Sequence, residues 1–129
     1  MKKVAIIAAI SGFLAVLLGA FGAHVLQNRV EAHLLEVWKT AVQYQMFHSL
    51  VLLVISLNAK LPCSPYLRRA GALFVAGILL FSGSLYLLVV TGISRLGMIT
   101  PLGGLSFLAG WLYLIHWLVT SFKMSPEGD

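Results

Sequence analysis

The amino-acid sequence predicts an all-α, polytopic membrane protein, folded as a compact bundle of four transmembrane helices. Hydrophobic residues make up 60% of the chain and charged residues only 10%, whereas soluble domains have roughly 45–50% and about 25%. Four stretches, residues 4–28, 40–59, 70–94 and 96–122, contain no Asp, Glu, Lys or Arg. About 20 apolar residues cross a bilayer as a helix, and these stretches lack the alternating pattern of barrel strands.

Taken in order, the helices are predicted at residues 4–26, 40–59, 71–91 and 101–122, within a single membrane domain that comprises residues 1–129. The first helix has an alternative interpretation as a signal peptide. Lys2 and Lys3 precede the apolar run, and residues 20–22 resemble a cleavage site. The run continues beyond that site to Leu26, which favours a helix that stays in the membrane.

The loops carry structural signals of their own. Residues 29–39 have apolar side chains at helical spacing among charged ones, which predicts a short amphipathic helix in the membrane interface. Trp38 is expected there at the level of the lipid headgroups, and the pattern also allows the segment to run directly into helix 2. Pro62 and Pro65 are predicted to end helix 2 and to keep the second loop extended. The Thr-Pro pair at residues 100–101 starts helix 4.

The distribution of positive charge predicts the orientation of the helices. The chain has a net charge of +5. With four spans, the termini and the second loop share one side, which carries Lys2, Lys3, Lys60, Arg68, Arg69 and Lys123, and the opposite side carries Arg29, Lys39 and Arg95. Because cytoplasmic loops are enriched in Lys and Arg, both termini are predicted to be cytoplasmic, in the plasma (inner) membrane. Topology thus explains the excess charge, and nucleic acid is not a predicted partner.

Small residues predict the faces through which the helices pack. Helix 1 carries Ala8, Gly12, Ala15, Gly19 and Ala23 at steps of three or four residues, which form one stripe. Helices 3 and 4 contribute Gly77, Gly83, Gly103, Gly104, Ser106 and Gly110. Small residues let helix backbones approach closely in lipid. The predicted packing positions are therefore Gly12, Gly19, Gly83, Gly103, Gly104 and Gly110.

Polar side chains within the predicted spans form the candidate site. They are His24, Tyr44, Gln45, His48, Ser82, Ser84 and Tyr86, and Arg95 follows in the third loop. The predicted topology places all of them toward the outer half of the bundle. Tyr44, Gln45 and His48 occupy positions i, i+1 and i+4, which project within one face of a helix. Polar groups at membrane depth are costly, so a shared role is expected.

Four interpretations of this cluster stay open at this point. The first is a structural hydrogen-bond network between helices, and the second is a pocket for a lipid headgroup, quinone or other small amphiphile. The third is a metal or haem site at His24 and His48, and the fourth is a proton or solute pathway. Two histidines without an acid or a thiolate make a poor ligand set, and Cys63 is the only cysteine. No metal and no cofactor is therefore predicted.

Nothing in the sequence matches a known catalytic motif. The chain lacks HExxH, GxSxG and a Walker loop, and no carboxylate lies in a predicted span. The remaining catalytic hypothesis has His48 as a base and Ser82 or Ser84 as a nucleophile, which requires their side chains to meet. The missing intramembrane acid also argues against a proton-coupled exporter. The protein is predicted not to be an enzyme.

Four sequence blocks together resemble a known family. They are ISGFLAVLLGAFGAH, YQMFH, FSGSLY and TPLGGLSFLAGW, and they extend from Ile10 to about Trp117. In this order they resemble the small inner-membrane family catalogued as domain of unknown function 423, which includes the eukaryotic transmembrane protein 256. The resemblance implies an integral membrane protein with four spans. It implies no reaction, ligand or catalytic residue.

The predicted function is that of a non-enzymatic interaction or accessory protein. Few residues lie outside the predicted spans, so the expected partners are membrane lipids, further copies of the chain or other membrane proteins. Self-association, or docking onto a larger membrane complex, is expected through the small-residue faces. The alternative is a small-molecule or lipid binder or transporter that uses a polar pocket in the outer half of the bundle.

Overall fold

The computed structural model describes residues 2–57 and 64–123, and within them four long helices follow one another. They are α1 (Lys2–Leu26), α2 (Ala32–Leu57), α3 (Pro65–Thr91) and α4 (Thr100–Lys123), with a short 3-10 helix at Ser94–Met98 before α4. All four helical segments are long and apolar enough to cross a membrane. The predicted all-α, four-span fold class is confirmed. The expectations for Pro62 and Cys63 concern residues outside the described ranges.

The start of α2 follows the second of the two alternatives for residues 29–39, in which the segment runs directly into helix 2. The helix begins at Ala32, so most of the expected interfacial segment forms its first turns and is not a separate helix. Trp38 is buried against α1, where its Nε1–H donates a hydrogen bond to the carbonyl oxygen of Leu18 at 2.8 Å. This indole therefore has a partner inside the bundle, and its expected headgroup level stays a prediction.

Helix α3 also begins earlier than predicted, at Pro65 rather than at residue 71. The hydroxyl of Ser64 accepts a hydrogen bond from the backbone N–H of Tyr66 at 3.2 Å, and Pro65 occupies the first helical position. Serine at the cap and proline directly after it favour a helix start. Pro65 thus begins α3, and Ser64 directly before it is extended, with φ −76° and ψ 147°. At the other end, Gly92 adopts φ 69° and ends the helix.

Two of the helices contain a π-helical segment, which the sequence pattern does not reveal. Gly22–Leu26 ends α1 in this form, and Ile78–Ser82 interrupts α3. Such segments are rare and occur frequently at functional sites. The segment in α3 carries Phe81, whose backbone lies directly against Gly103 of α4. A side chain at position 103 would collide with that backbone, so the glycine permits this close helix approach.

The small-residue stripe of α1 packs against α2. Gly110 of α4 packs in the same way against α3. A Cβ at Gly19 would lie 3.3 Å from Cγ1 of Val42, and one at Gly12 would lie 4.0 Å from Cβ of Ser49. Gly110 of α4 lies against the ring of Phe74, 2.9 Å from where its Cβ would be. Two positions differ from the prediction. Ala23 is exposed while its neighbour Gly22 packs on Trp38, and a Cβ at Gly83 would meet nothing within 4 Å.

The hydrophobic core lies where α2, α3 and α4 meet, around Leu52, Leu67, Phe74, Phe107 and Trp117. A second cluster, around Trp38, joins the π turn of α1 to α2 and α3. Large apolar side chains cover the outside of the helices, as expected where the surrounding solvent is lipid.

Candidate functional site

The predicted polar cluster separates into two arrangements on different sides of α2. Gln45 points toward α1 and α3, while Tyr44 and His48 lie against α3 and α4. Side chains of consecutive helical residues point about 100° apart, so Tyr44 and Gln45 face different neighbouring helices. The two arrangements are described here as the polar network (Ser11, Gln45, Ser49, Tyr86) and the aromatic cleft (Tyr44, His48, Phe81, Gly104, Phe107, Leu108, Trp111).

The polar network joins three helices through the side chain of Gln45. Its Nε2 donates to the carbonyl oxygen of Ser11 at 3.0 Å, and its Oε1 accepts from the hydroxyl of Tyr86 at 2.7 Å. The hydroxyl of Ser49 donates to the carbonyl oxygen of Gln45 at 2.6 Å and lies 2.7 Å from the hydroxyl of Ser11. Gln45 is only 5% exposed. Its amide nitrogen and oxygen both have protein partners, so the network presents a satisfied interior.

The two serines of α3 bind backbone groups rather than His48. Ser82 donates to the carbonyl oxygen of Ala41 in α2 at 2.8 Å. Ser84 donates to the carbonyl oxygen of Phe81 at 2.9 Å and lies 2.7 Å from the hydroxyl of Thr100. Thr100 therefore connects α4 to α3 at the start of the helix. Neither serine forms the hydroxyl–imidazole contact that the catalytic hypothesis requires.

Two predicted site residues lie apart from both arrangements. His24 is exposed in the π turn of α1, and Arg95 is exposed in the 3-10 helix before α4. The interpretation of the cluster as a hydrogen-bond network between helices therefore does not extend to His24 among the described residues. Nor do the described residues include a group of three His, Cys, Asp or Glu side chains that could hold a metal ion.

The aromatic cleft is an open groove of about 320 Å³ between α2, α3 and α4. The imidazole of His48 stacks on the ring of Phe107, with centroids 3.6 Å apart and planes at 10°. Beside this pair, Tyr44 stacks on Phe81, with centroids 4.4 Å apart and planes at 28°. Trp111 and Leu108 complete the wall and are both exposed. The cleft therefore opens on the outside of the bundle, and the π-helical segment of α3 supplies Phe81 to it.

Hydrogen bonds fix the orientation of the His48 ring. Its Nδ1 lies 2.8 Å from the carbonyl oxygen of Tyr44. A carbonyl can only accept, so Nδ1 carries the proton and donates. The opposite nitrogen, Nε2, is then an acceptor and receives a bond of 3.3 Å from the indole N–H of Trp111. His48 is 7% exposed, and its acceptor nitrogen lies beside Trp111 in the wall of the cleft.

Several residues of these arrangements are not predicted by the sequence pattern. Ser11 and Ser49 are polar residues in apolar spans, and that property alone is a signal for a functional or packing role. Phe107 and Trp111 are four residues apart on α4, a spacing that places side chains together on a helix. Their approach to His48 depends on how α2 and α4 cross, and the spacing of residues within one helix does not predict that crossing.

The fold and the site define a small integral membrane protein with four helices and a buried polar network. The family described as protein of unknown function (DUF423) matches residues 18–104, and the chain belongs to this family. The predicted resemblance is thereby confirmed.

Curated relatives of this chain are named UPF0382 membrane proteins. YwdK of Bacillus subtilis is 51% identical over 116 residues, which covers 89% of this chain and 94% of the relative. SAB0533 of Staphylococcus aureus is 46% identical over 125 residues, covering 97% and 99%. SSP2132 of Staphylococcus saprophyticus is 45% identical over 124 residues, covering 96% and 100%. No solved structure matches. The chain is thus a membrane protein of an uncharacterised family.

Proposed function

We propose that this protein is a non-enzymatic binding protein of the membrane, which takes a small amphiphilic molecule from the lipid phase into the aromatic cleft. One contrast carries the proposal. The polar side chain of Gln45 is buried and fully paired inside the bundle, whereas Tyr44 and Trp111 are each 41% exposed along an open cleft. Small-molecule sites, including those between the helices of bundles, combine a mostly apolar wall with a few oriented polar groups, and the cleft has this composition.

The hydrogen-bond partners of the candidate catalytic groups favour binding over chemistry. His48 directs its N–H to a backbone carbonyl and its acceptor nitrogen to Trp111. Ser82 and Ser84 direct their hydroxyls to other backbone carbonyls. A nucleophile needs a base within hydrogen-bond reach, and these three side chains serve other partners. We therefore assign the His48 ring a recognition role in the cleft.

An accessory role in a larger membrane assembly is the second candidate, through a different surface from the one predicted. The glycines of the small-residue faces pack inside the bundle, as Gly19 does against Val42 and Gly110 against Phe74. The outward side of α1 instead presents large apolar side chains, including Ile6, Ile10, Phe13 and Leu17. Association with a second copy or another membrane protein would use this outward side of α1.

We further propose that the protein lies in the plasma membrane with both termini in the cytoplasm. Lys2, Lys3, Arg68 and Arg69 cluster at one end of the bundle by the order of the helices. At the other end, Lys39 forms an ion pair of 2.7 Å with Glu36. The end with more positive charge is expected on the cytoplasmic side. This orientation places the aromatic cleft, which begins at Gly104 of α4, toward the outer half.

Native mass spectrometry of protein extracted in a gentle detergent tests the binding proposal. The wild type is expected to carry a discrete added mass, and His48→Ala is expected to lose it. Ser49→Ala is the matched control, because it weakens the polar network on the other side of α2 and leaves the cleft unchanged. This variant should be less stable but should retain the added mass. Bare wild-type protein, or equal retention by His48→Ala, would contradict the proposal.

A further inference from the structure

A second groove adjoins the aromatic cleft at Trp111, on the α2–α4 boundary. This apolar groove has a volume of about 380 Å³ and is lined by residues that include Leu50, Val54, Ile55, Trp111, Leu114 and Leu118. Trp111 lines both the cleft and the groove. Along α2 the two together extend from Tyr44 to Ile55, which is about 16 Å at 1.5 Å per residue. The depression that the cleft and the groove make on either side of Trp111 has polar atoms at Tyr44 and His48 and apolar side chains at its other end.

The end formed by the aromatic cleft has the polar atoms that a ligand head could reach. The side chain of Tyr44 is exposed, and its hydroxyl forms no hydrogen bond with the described residues, since His48 binds the backbone carbonyl of Tyr44 instead. Nε2 of His48 receives one bond, of 3.3 Å, from the indole N–H of Trp111. A ligand oxygen can therefore pair with the Tyr44 hydroxyl, and a ligand hydroxyl can replace Trp111 at His48.

The walls of the cleft favour a flat ring over a charged head. His48 stacks on Phe107 and Tyr44 on Phe81, so these rings hold each other in place, and the exposed parts of Tyr44 and Trp111 offer aromatic surface to a ligand ring. Aromatic side chains prefer such offset stacking. The residues that line the cleft include no Lys or Arg, the side chains that usually bind phosphate. A phospholipid headgroup thus lacks a counter-charge in this cleft.

We propose that the ligand is a single-tailed lipid whose head is a planar ring bearing a carbonyl or hydroxyl oxygen. The ring lies in the aromatic cleft beside Tyr44 and His48, and the tail follows the apolar groove past Leu114. This inference rests on the proposed binding function and adds the chemical class of the ligand.

Gly104 provides a way to close the cleft without disturbing the helices. A Cβ at this position would meet only Cδ2 of Phe81, at 4.0 Å, so a larger side chain has room and fills the cleft. Gly83 is the matched control, because its Cβ would also meet nothing closer than 4 Å and it does not line the cleft. Gly104→Leu and Gly83→Leu therefore add the same side chain inside and outside the site. Tyr44→Phe removes only the hydroxyl.

The test is calorimetric titration of the full chain in phosphatidylcholine nanodiscs with three probes. They are a decyl-substituted benzoquinone, the same quinone without its tail, and decanol; protein-free nanodiscs report partitioning into lipid. The wild type and Gly83→Leu should bind the complete probe saturably. Gly104→Leu and the two partial probes should each lower affinity at least tenfold, about 1.4 kcal/mol. Tyr44→Phe should lower it roughly two- to tenfold, as expected for one neutral hydrogen bond.

Two outcomes would overturn the inference. Decanol that binds as tightly as the complete probe would mean that the depression accepts any lipid tail and does not select a ring. Equal binding of the complete probe to the wild type and Gly104→Leu would place the ring outside the cleft. Either result leaves the proposed binding function standing if the purified wild type still carries an added mass that His48→Ala loses. If the wild type and His48→Ala instead carry the same mass, the proposed function itself is contradicted.

Discussion

The hydroxyl of Tyr86 donates a hydrogen bond of 2.7 Å to Oε1 of Gln45 and thereby joins α3 to α2 inside the bundle. The same amide binds α1 through its nitrogen, which donates to the carbonyl oxygen of Ser11. One side chain therefore connects three helices. In lipid, where apolar burial does not drive helix association, such bonds and close packing hold a bundle together.

Tyr86→Phe should lower the free energy of unfolding by about 0.6 kcal/mol, and by no more than about 1.7. The change removes the only donor to Oε1 of Gln45 among the described residues and leaves that oxygen buried. Unfolding of the purified protein in detergent micelles measures the loss. In a Gln45→Leu background the same change should cost almost nothing, because the acceptor is already absent. An equal loss in both backgrounds would show that the Tyr86 hydroxyl does not act through Gln45.

Gly103→Ala should destabilise the bundle while Gly104→Ala should not, although the two glycines are adjacent on α4. A Cβ at Gly103 would lie only 2.7 Å from Cα of Phe81, and backbone cannot move aside as a flexible side chain can. We expect a cost of about 1–3 kcal/mol, as for other overpacked sites. At Gly104 the nearest atom is 4.0 Å away, and the expected change is within about 0.5 kcal/mol. Thermal unfolding of both variants provides the comparison, and similar stabilities would contradict the close α3–α4 approach at Phe81.

The sequence is sufficient to predict the four helices because hydropathy and charge mark them directly. It is not sufficient to predict that Tyr44 and Gln45 face different neighbours. The pattern i, i+1, i+4 describes one helix, whereas the partners of each side chain depend on where α1, α3 and α4 lie around it. The π-helical segment at Ile78–Ser82 further changes the direction of Phe81 relative to a regular helix. Nothing in its apolar composition reveals that change.

A reporter fused after Asp129 should be active in the cytoplasm, and one inserted at Asn28, between α1 and α2, should be active outside. The expectation follows from the excess of Lys and Arg at the end that carries the termini. Paired fluorescent and alkaline phosphatase fusions at both positions give opposite signals and control for each other. The reverse pattern would place the aromatic cleft toward the cytoplasmic half, since Gly104 lies near the start of α4.

His48→Phe should separate the stability of the bundle from its ligand retention. Phenylalanine keeps a flat ring against Phe107, so packing is largely preserved, but it can neither donate to the carbonyl oxygen of Tyr44 nor accept from Trp111. The carbonyl oxygen of Tyr44 still accepts its helical backbone hydrogen bond, so we expect the free energy of unfolding to change by less than about 1 kcal/mol. In native mass spectrometry, the added mass that the wild type carries should nevertheless be absent from His48→Phe. A variant that is strongly destabilised yet keeps the added mass would mean that His48 joins the helices, as Gln45 does, and has no part in recognition.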